Sequence, residues 1–196
     1  ATATATALAW MSLQQSDRIG LTMFADGIIQ KVGLSSNTGQ WRRIVSLLSG
    51  QPVDETTDIE KTTEQILSTT TNRSLFIIIS DFLQDPGSIR SAMARFRHRK
   101  HDVICLQILD RDEMRFEQPD PSMFVGLEGD DRIRIDPPAI RQAYLDALHA
   151  HRNELNGMLS GFGFDYHTVD SHDSVGPALA YLIARRTAWS RKHHAS

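Results

Sequence analysis

The sequence predicts an α/β fold of three layers, with a mainly parallel sheet between helices and an antiparallel hairpin at its edge. Three observations carry this expectation. Residues 74–79 and 102–109 contain the apolar runs Leu75-Phe76-Ile77-Ile78-Ile79 and Val103-Ile104-Cys105-Leu106, and such runs without alternation mark strands covered on both faces. Segments with helical spacing alternate with these strands, as parallel crossover connections require. Near the start, two short β-type runs at 18–24 and 28–32 flank Ala25-Asp26-Gly27, a hairpin signal with an Asp-Gly turn.

Taken in order, Leu8, Trp10, Met11 and Leu13 keep helical spacing, so the chain opens inside a helix that breaks at Gln14-Gln15-Ser16-Asp17. The hairpin follows. A polar loop, Ser35 to Gly39, leads to a helix with Trp41, Ile44, Val45 and Leu48 on one face. A further helix from about Asp58 to Thr69 carries Ile59, Ile66 and Leu67, and Thr57 with Glu60 has the spacing of a capping box at its start. The run ending at Ile79 is the expected central strand. Asp85-Pro86 then caps a helix lined by Ile89, Met93 and Phe96.

Beyond residue 110 the chain turns polar and irregular, with a small inserted hairpin near 123–135. Asp136-Pro137-Pro138 starts a long helix with Ile140, Tyr144, Leu148, Leu155 and Leu159 in register, and Gly161-Phe162-Gly163 ends it. Residues 164–169 form the last expected strand. Val175, Leu179, Leu182 and Ile183 mark a closing helix. All of this fits a single domain over 1–196.

Composition narrows the function. With 40% hydrophobic and 23% charged residues the chain is an ordinary globular protein, and a net charge of -3 gives it no general pull toward nucleic acid or anionic lipid. The basic stretch from Arg95 to His101 and the tail Arg185 to His194 are expected to be solvated faces. No apolar run reaches the ~20 residues that span a bilayer. The single cysteine, Cys105, lies in a buried strand and fits a reducing, cytoplasmic compartment.

Ligands of open α/β sheets collect at the carboxyl ends of strands, which directs attention to Asp81, directly after the first apolar strand, and to Asp110 after the second. Other signatures are missing: no phosphate loop GxxxxGK[ST], no HExxH, no CxxC and no GxSxG occurs. His149 and His151 are two apart on a helix and point to different faces. His167 and His172 flank the end of the last strand, where they could meet Asp170.

Gly20-Leu21-Thr22-Met23-Phe24-Ala25-Asp26, then Thr57-Asp58-Ile59, then Leu75-Phe76-Ile77-Ile78-Ile79-Ser80-Asp81-Phe82 resembles the von Willebrand factor A fold, in the form of the bacterial domain-of-unknown-function 58 family. Leu109-Asp110-Arg111-Asp112-Glu113, the inserted hairpin, Asp136-Pro137 and Gly163-Phe164-Asp165-Tyr166 extend the resemblance over nearly the whole chain. It implies a metal-ion-dependent adhesion site, in which Thr57 matches the threonine and Asp81 the aspartate. The DxSxS motif that completes such a site does not occur. Its strand would be the first central one, so the resemblance implies that this strand is missing, that the chain is a C-terminal fragment, and that the empty slot exposes two strand edges through which another chain can join it as an oligomer. Mg²⁺ is expected in an intact parent and not tightly on this chain, because Mg²⁺ prefers six oxygen ligands. The resemblance further implies a protein-interaction module, an adaptor for a MoxR-type AAA+ ATPase in bacterial complex assembly, with Asp26, Thr57, Asp81 and Asp110 forming the docking rim. The rival expectation is a small metal-assisted hydrolase using Asp81.

Overall fold

The computed structural model describes residues 1–50, 57–117, 122–125, 132–135, 137–173, 176, 177 and 180. The expected closing helix with Val175, Leu179, Leu182 and Ile183, the basic tail and the start of the acidic stretch at Asp54 lie outside the described residues. The elements run α1 (Thr2–Gln14), β1 (Ile19–Ala25), β2 (Gly27–Ser35), α2 (Gly39–Leu48), α3 (Ile59–Thr69), β3 (Leu75–Ser80), α4 (Pro86–His98) and β4 (Asp102–Leu109). They continue with α5 (Arg111–Arg115), β5 (Ser122–Val125), β6 (Arg132–Ile135), α6 (Pro137–Gly161) and β7 (Asp165–Asp170). The α/β class is as expected: β3, β4 and β7 form a parallel sheet, β1 and β2 an antiparallel hairpin, and β5 with β6 the small inserted hairpin. No described helix is long and apolar enough to cross a membrane.

Strand geometry sends successive side chains to opposite faces, and both faces of the parallel sheet are apolar. On one, Phe76, Ile78, Val103, Cys105 and Tyr166 pack against Ile59 and Leu67 of α3, Ile89, Met93 and Phe96 of α4, and Leu155 and Leu159 of α6. On the other, Leu75, Ile77, Ile79, Ile104, Leu106 and Ile108 pack with Leu8 of α1. Two-sided burial explains the uninterrupted apolar runs. Cys105 is fully buried and free, and burial pushes its thiol well above the ordinary range, so it serves as packing.

One expectation is corrected. The sheet order is β3-β4-β7, so the central strand is β4, and β3 has a ladder partner on one side among the described residues. Each β3 residue is half-buried while β4 is buried almost throughout. An apolar run reports that both faces are covered, and β3 meets that condition; it carries no information about a strand's lateral neighbours. The early hairpin makes its ladder only with itself among the described residues. Side chains anchor it instead: the Gln40 amide donates to the Ile19 and Gly33 carbonyls at 3.0 and 2.5 Å, and the Ile28 N–H donates to Gln65 Oε1 at 3.1 Å.

Three helices end in the same way. After α1, α4 and α6 the chain turns through a left-handed residue, Ser16 (φ 61°), Lys100 (φ 61°) and Gly163 (φ 75°). In each the next residue donates back to the third-last helical carbonyl: Asp17 to Ser12, His101 to Phe96 and Phe164 to Leu159. This satisfies carbonyls the helix leaves open. Glycine takes that conformation freely; a residue with Cβ pays about 1–2 kcal/mol.

His101 corrects a second expectation. It belongs to the basic stretch in sequence, yet it is buried under the sheet, 5.0 Å from the Phe76 ring, with Nδ1 accepting from the Ser74 N–H at 3.2 Å. Burial, followed by the positive charge of Arg99, holds its pKa below the ordinary histidine range.

Two outcomes are expected. Lys100→Gly should raise stability by about 1 kcal/mol and Gly163→Ala should lower it by a similar amount, since no atom crowds the Gly163 position and backbone conformation alone acts there, as urea unfolding would measure. Below the ordinary histidine pKa of about 6.5 the unfolded chain takes up a proton at His101 that the folded chain resists. Stability from this group is therefore whole above about pH 6.5 and falls as pH drops through the depressed native value. Urea midpoints compared at about pH 7.5 and pH 5.5 should show this loss, reduced in His101→Asn, which keeps an acceptor that does not titrate.

Candidate functional site

Parallel strands end together, so Asp81 after β3, Asp110 after β4 and Asp170 at the end of β7 come out on one rim of the sheet. Gln107 sets its geometry. Fully buried on β4, it donates from Nε2 to the Asp81 carbonyl at 2.6 Å and accepts at Oε1 from the Tyr166 hydroxyl on β7. A side chain on the middle strand thus clamps both neighbours at the carboxyl end.

The loop after β3 is held from two sides. Phe82 has a left-handed backbone (φ 53°), is fully buried in the main core, and its carbonyl meets His151 Nε2 of α6 at 2.6 Å. That conformation costs about 1–2 kcal/mol, offset by burial of the ring, worth about 1.5–3 kcal/mol. Asp81 Oδ1 accepts from the Leu83 N–H and the Ser80 hydroxyl, both at 3.3 Å, closing a tight turn. With Phe82 turned in, Leu83 is turned out and is 51% exposed beside the exposed Asp81.

A denser cluster lies at the ends of β4 and β7. Asp110 caps α5: its Oδ1 accepts from the Asp112 N–H at 2.9 Å while Glu113 Oε2 accepts from the Asp110 N–H at 2.7 Å. Its second oxygen accepts from the Ser171 hydroxyl at 2.8 Å. His172 Nδ1 lies 3.6 Å from both Asp110 and Asp170, and the His172 N–H donates to Asp170 Oδ1 at 2.8 Å. Arg111 forks between Asp170 and Asp173, each at 3.1 Å. The Asp112 N–H, then Ser171, lower the pKa of Asp110; the His172 N–H, then Arg111, lower that of Asp170.

Asp26 and Thr57 form a separate group. The Asp58 N–H donates to the Ala25 carbonyl at 2.9 Å, which brings the start of α3 to the hairpin turn, and Asp26 pairs with Lys61 at 3.2 Å. The capping expectation at Thr57 is corrected. Asp58 is the N-cap, accepting from the Lys61 N–H at 2.9 Å, and Glu60 faces Arg95 at 3.6 Å. An aspartate one residue on outcompetes the threonine because its carboxylate is the stronger acceptor for helix N–H groups.

Among the described residues no hydrogen bond or ion pair joins Asp81 to Asp26, Thr57 or Asp110. Nor do three or more His, Cys, Asp or Glu gather in a metal-holding group among them. The Asp81 oxygen that closes the loop is already committed, and Thr57 and Asp81 together supply too few ligands for an ion that prefers six. The residues present do not fit a resident Mg²⁺. Ser171 beside His172 does not fit a nucleophile and its base, because the hydroxyl gives its single proton to Asp110.

Sequence reasoning missed α5 and the Ser171–His172 turn. Asp110 and Glu113 carry the capping-box spacing that announces the first. Nothing local announces the second, since its partner Asp110 is 61 residues away. His172 does meet Asp170, while His167 lies elsewhere on β7, against a groove with His149.

Both carboxylates of the cluster titrate below their ordinary range, so the contribution of these bonds is complete above about pH 4 and is lost as pH falls through the lowered native values. Asp110→Asn should weaken the cap and accelerate amide exchange at Asp112 relative to the wild-type chain, measured by NMR at neutral pH.

No curated protein matches the sequence. Among solved structures, the conserved hypothetical protein BatB from Bacteroides thetaiotaomicron superposes with a TM-score of 0.57 at 14% identity, covering 95% of this chain and 88% of that one. An uncharacterized membrane spanning protein from Vibrio fischeri aligns at 13% identity with a TM-score of 0.28, over 93% of this chain and 84% of that one. The first likeness speaks to fold. The family described as Protein of unknown function DUF58 matches residues 1–154, most of the chain, and the protein belongs to that family.

Proposed function

We propose that this chain is a protein-interaction module of the von Willebrand factor A type that docks through the carboxyl rim of its sheet. The observation that carries this is the Asp81–Leu83 loop. An exposed leucine beside a carboxylate, presented by a backbone held from both sides, suits a binding anchor, because a preordered loop loses little entropy on association. Asp110 and its capped turn extend the rim on one side, and Asp26 with Thr57 adds a second polar group at the hairpin turn.

The partner proposed is a MoxR-type AAA+ ATPase, with the module as adaptor in bacterial complex assembly. An ATP-driven partner works where ATP is, which places the docking face in the cytoplasm. Docking of this kind needs no ion on Thr57 and Asp81; a parent chain carrying a complete adhesion site would add Mg²⁺ to the same rim.

Purified wild-type chain should capture the ATPase encoded in its own cells, and Leu83→Ala or Asp81→Ala should weaken capture by about tenfold or more, as loss of an anchor side chain does. Recovery of no ATPase by the wild-type chain, or equal recovery by both variants, would overturn the proposal. The unfolding curve of Leu83→Ala should stay close to wild type, because that side chain faces solvent, whereas Asp81→Ala also gives up the bonds that close its turn.

A further inference from the structure

A polar groove of about 470 Å³ lies between α6 and β7, lined by residues that the proposed docking role does not use. His149, Arg152, Asn153 and Asn156 occupy one face of α6 at helical spacing, opposite the consecutive residues Tyr166, His167 and Thr168. Consecutive strand residues point to opposite faces, so a groove that reaches all three runs along the strand's margin.

Arg152 is the cation of this groove. One terminal nitrogen donates to the Thr168 hydroxyl at 3.2 Å, and that hydroxyl stands 3.4 Å from the Tyr166 hydroxyl, which in turn is bound to Gln107. The guanidinium is thus positioned by the same clamp that orders the sheet. Its Nε is buried with no hydrogen-bond partner. A buried donor left unmet is costly, and more so on a charged group. Among the described residues no Asp or Glu lines the groove, and Arg152 makes no ion pair. The Arg152 guanidinium and the Asn153 and Asn156 carboxamides thus face a space that no Asp or Glu lines among the described residues.

We infer that the α6–β7 groove is a carboxylate-binding site anchored by Arg152. The terminal nitrogens of the planar guanidinium, one of them already fixed by Thr168, match a carboxylate in a two-point fork, and the flanking Asn153 and Asn156 amides can orient what is attached to it. The volume suits a small dicarboxylic acid or one acidic side chain of a peptide.

The test is NMR titration of the full chain, following the Arg152 Nε–H and the amides of residues 166–168. The probes are sodium succinate, a blocked Ala-Glu-Ala peptide, its Ala-Gln-Ala counterpart and inorganic phosphate. Succinate or the glutamyl peptide should shift these signals, with the glutaminyl peptide about tenfold weaker or silent. Tighter binding of succinate assigns the ligand to a free acid, and tighter binding of the peptide assigns it to a protein partner. Arg152→Gln should abolish the response. Asn156→Glu, an exposed change that keeps the fold and places a like charge in the groove, should do the same. A glutaminyl peptide or phosphate that matches the carboxylates, no response to either carboxylate, or unchanged binding by both variants would overturn the inference.

Discussion

The buried amide of Gln107 is the constraint on which the rest of the rim depends. A carboxamide sealed inside a sheet must find a donor and an acceptor, and here it finds them on opposite neighbours, the Asp81 carbonyl of β3's end and the Tyr166 hydroxyl of β7. Parallel strands are otherwise joined only by their ladders. The amide adds a cross-tie at the carboxyl end, where the ladder between β3 and β4 gives out after Ser80 and Gln107. From one side of that tie the chain leaves as the Phe82 turn; from the other, through Tyr166 and Thr168, it reaches Arg152. The Asp81–Leu83 loop and the polar groove are thus two outlets of one hydrogen-bonded chain.

Strain and burial are matched around this tie. Phe82 is the one left-handed residue that is both non-glycine and wholly inside the core among those described, and its position is dictated by tertiary partners instead of local preference. The contrast with the helix ends is instructive. At Ser16, Lys100 and Gly163 the left-handed residue closes a helix with its own carbonyls, a local device that glycine serves best. At Phe82 the reward comes from the ring buried in the main core cluster and from His151 on the carbonyl, so glycine would relax the backbone and forfeit the core.

The acids of the rim have different occupations, and this bears on chemistry. Asp110 and Asp170 hold turns together, with their oxygens committed to backbone N–H groups, a serine, an arginine and a histidine. Carboxylates so occupied are poor bases, because the same bonds that stabilise their charge lower their affinity for a proton. Asp81 differs: one oxygen shapes its loop while its side chain stays at the surface beside Leu83. The rim is thus a set of ordered turns around one exposed apolar residue, Leu83.

By itself the sequence determined the class of fold and most of its elements, because two-sided burial, helical spacing and turn chemistry are written in residue order. The apolar runs at 75–79 and 103–106, the early hairpin, the Asp85-Pro86 cap and the Gly163 terminus each express a local rule that distant residues did not override. Tertiary structure decided what depends on distant neighbours. It put β4 and not β3 in the middle and turned His101 inward from a basic stretch. It also joined Ser171 to Asp110 and Arg152 to Thr168. The physical reason is that periodicity reports which face of an element is covered, whereas lateral order and side-chain pairing are settled by contacts whose partners lie tens of residues apart.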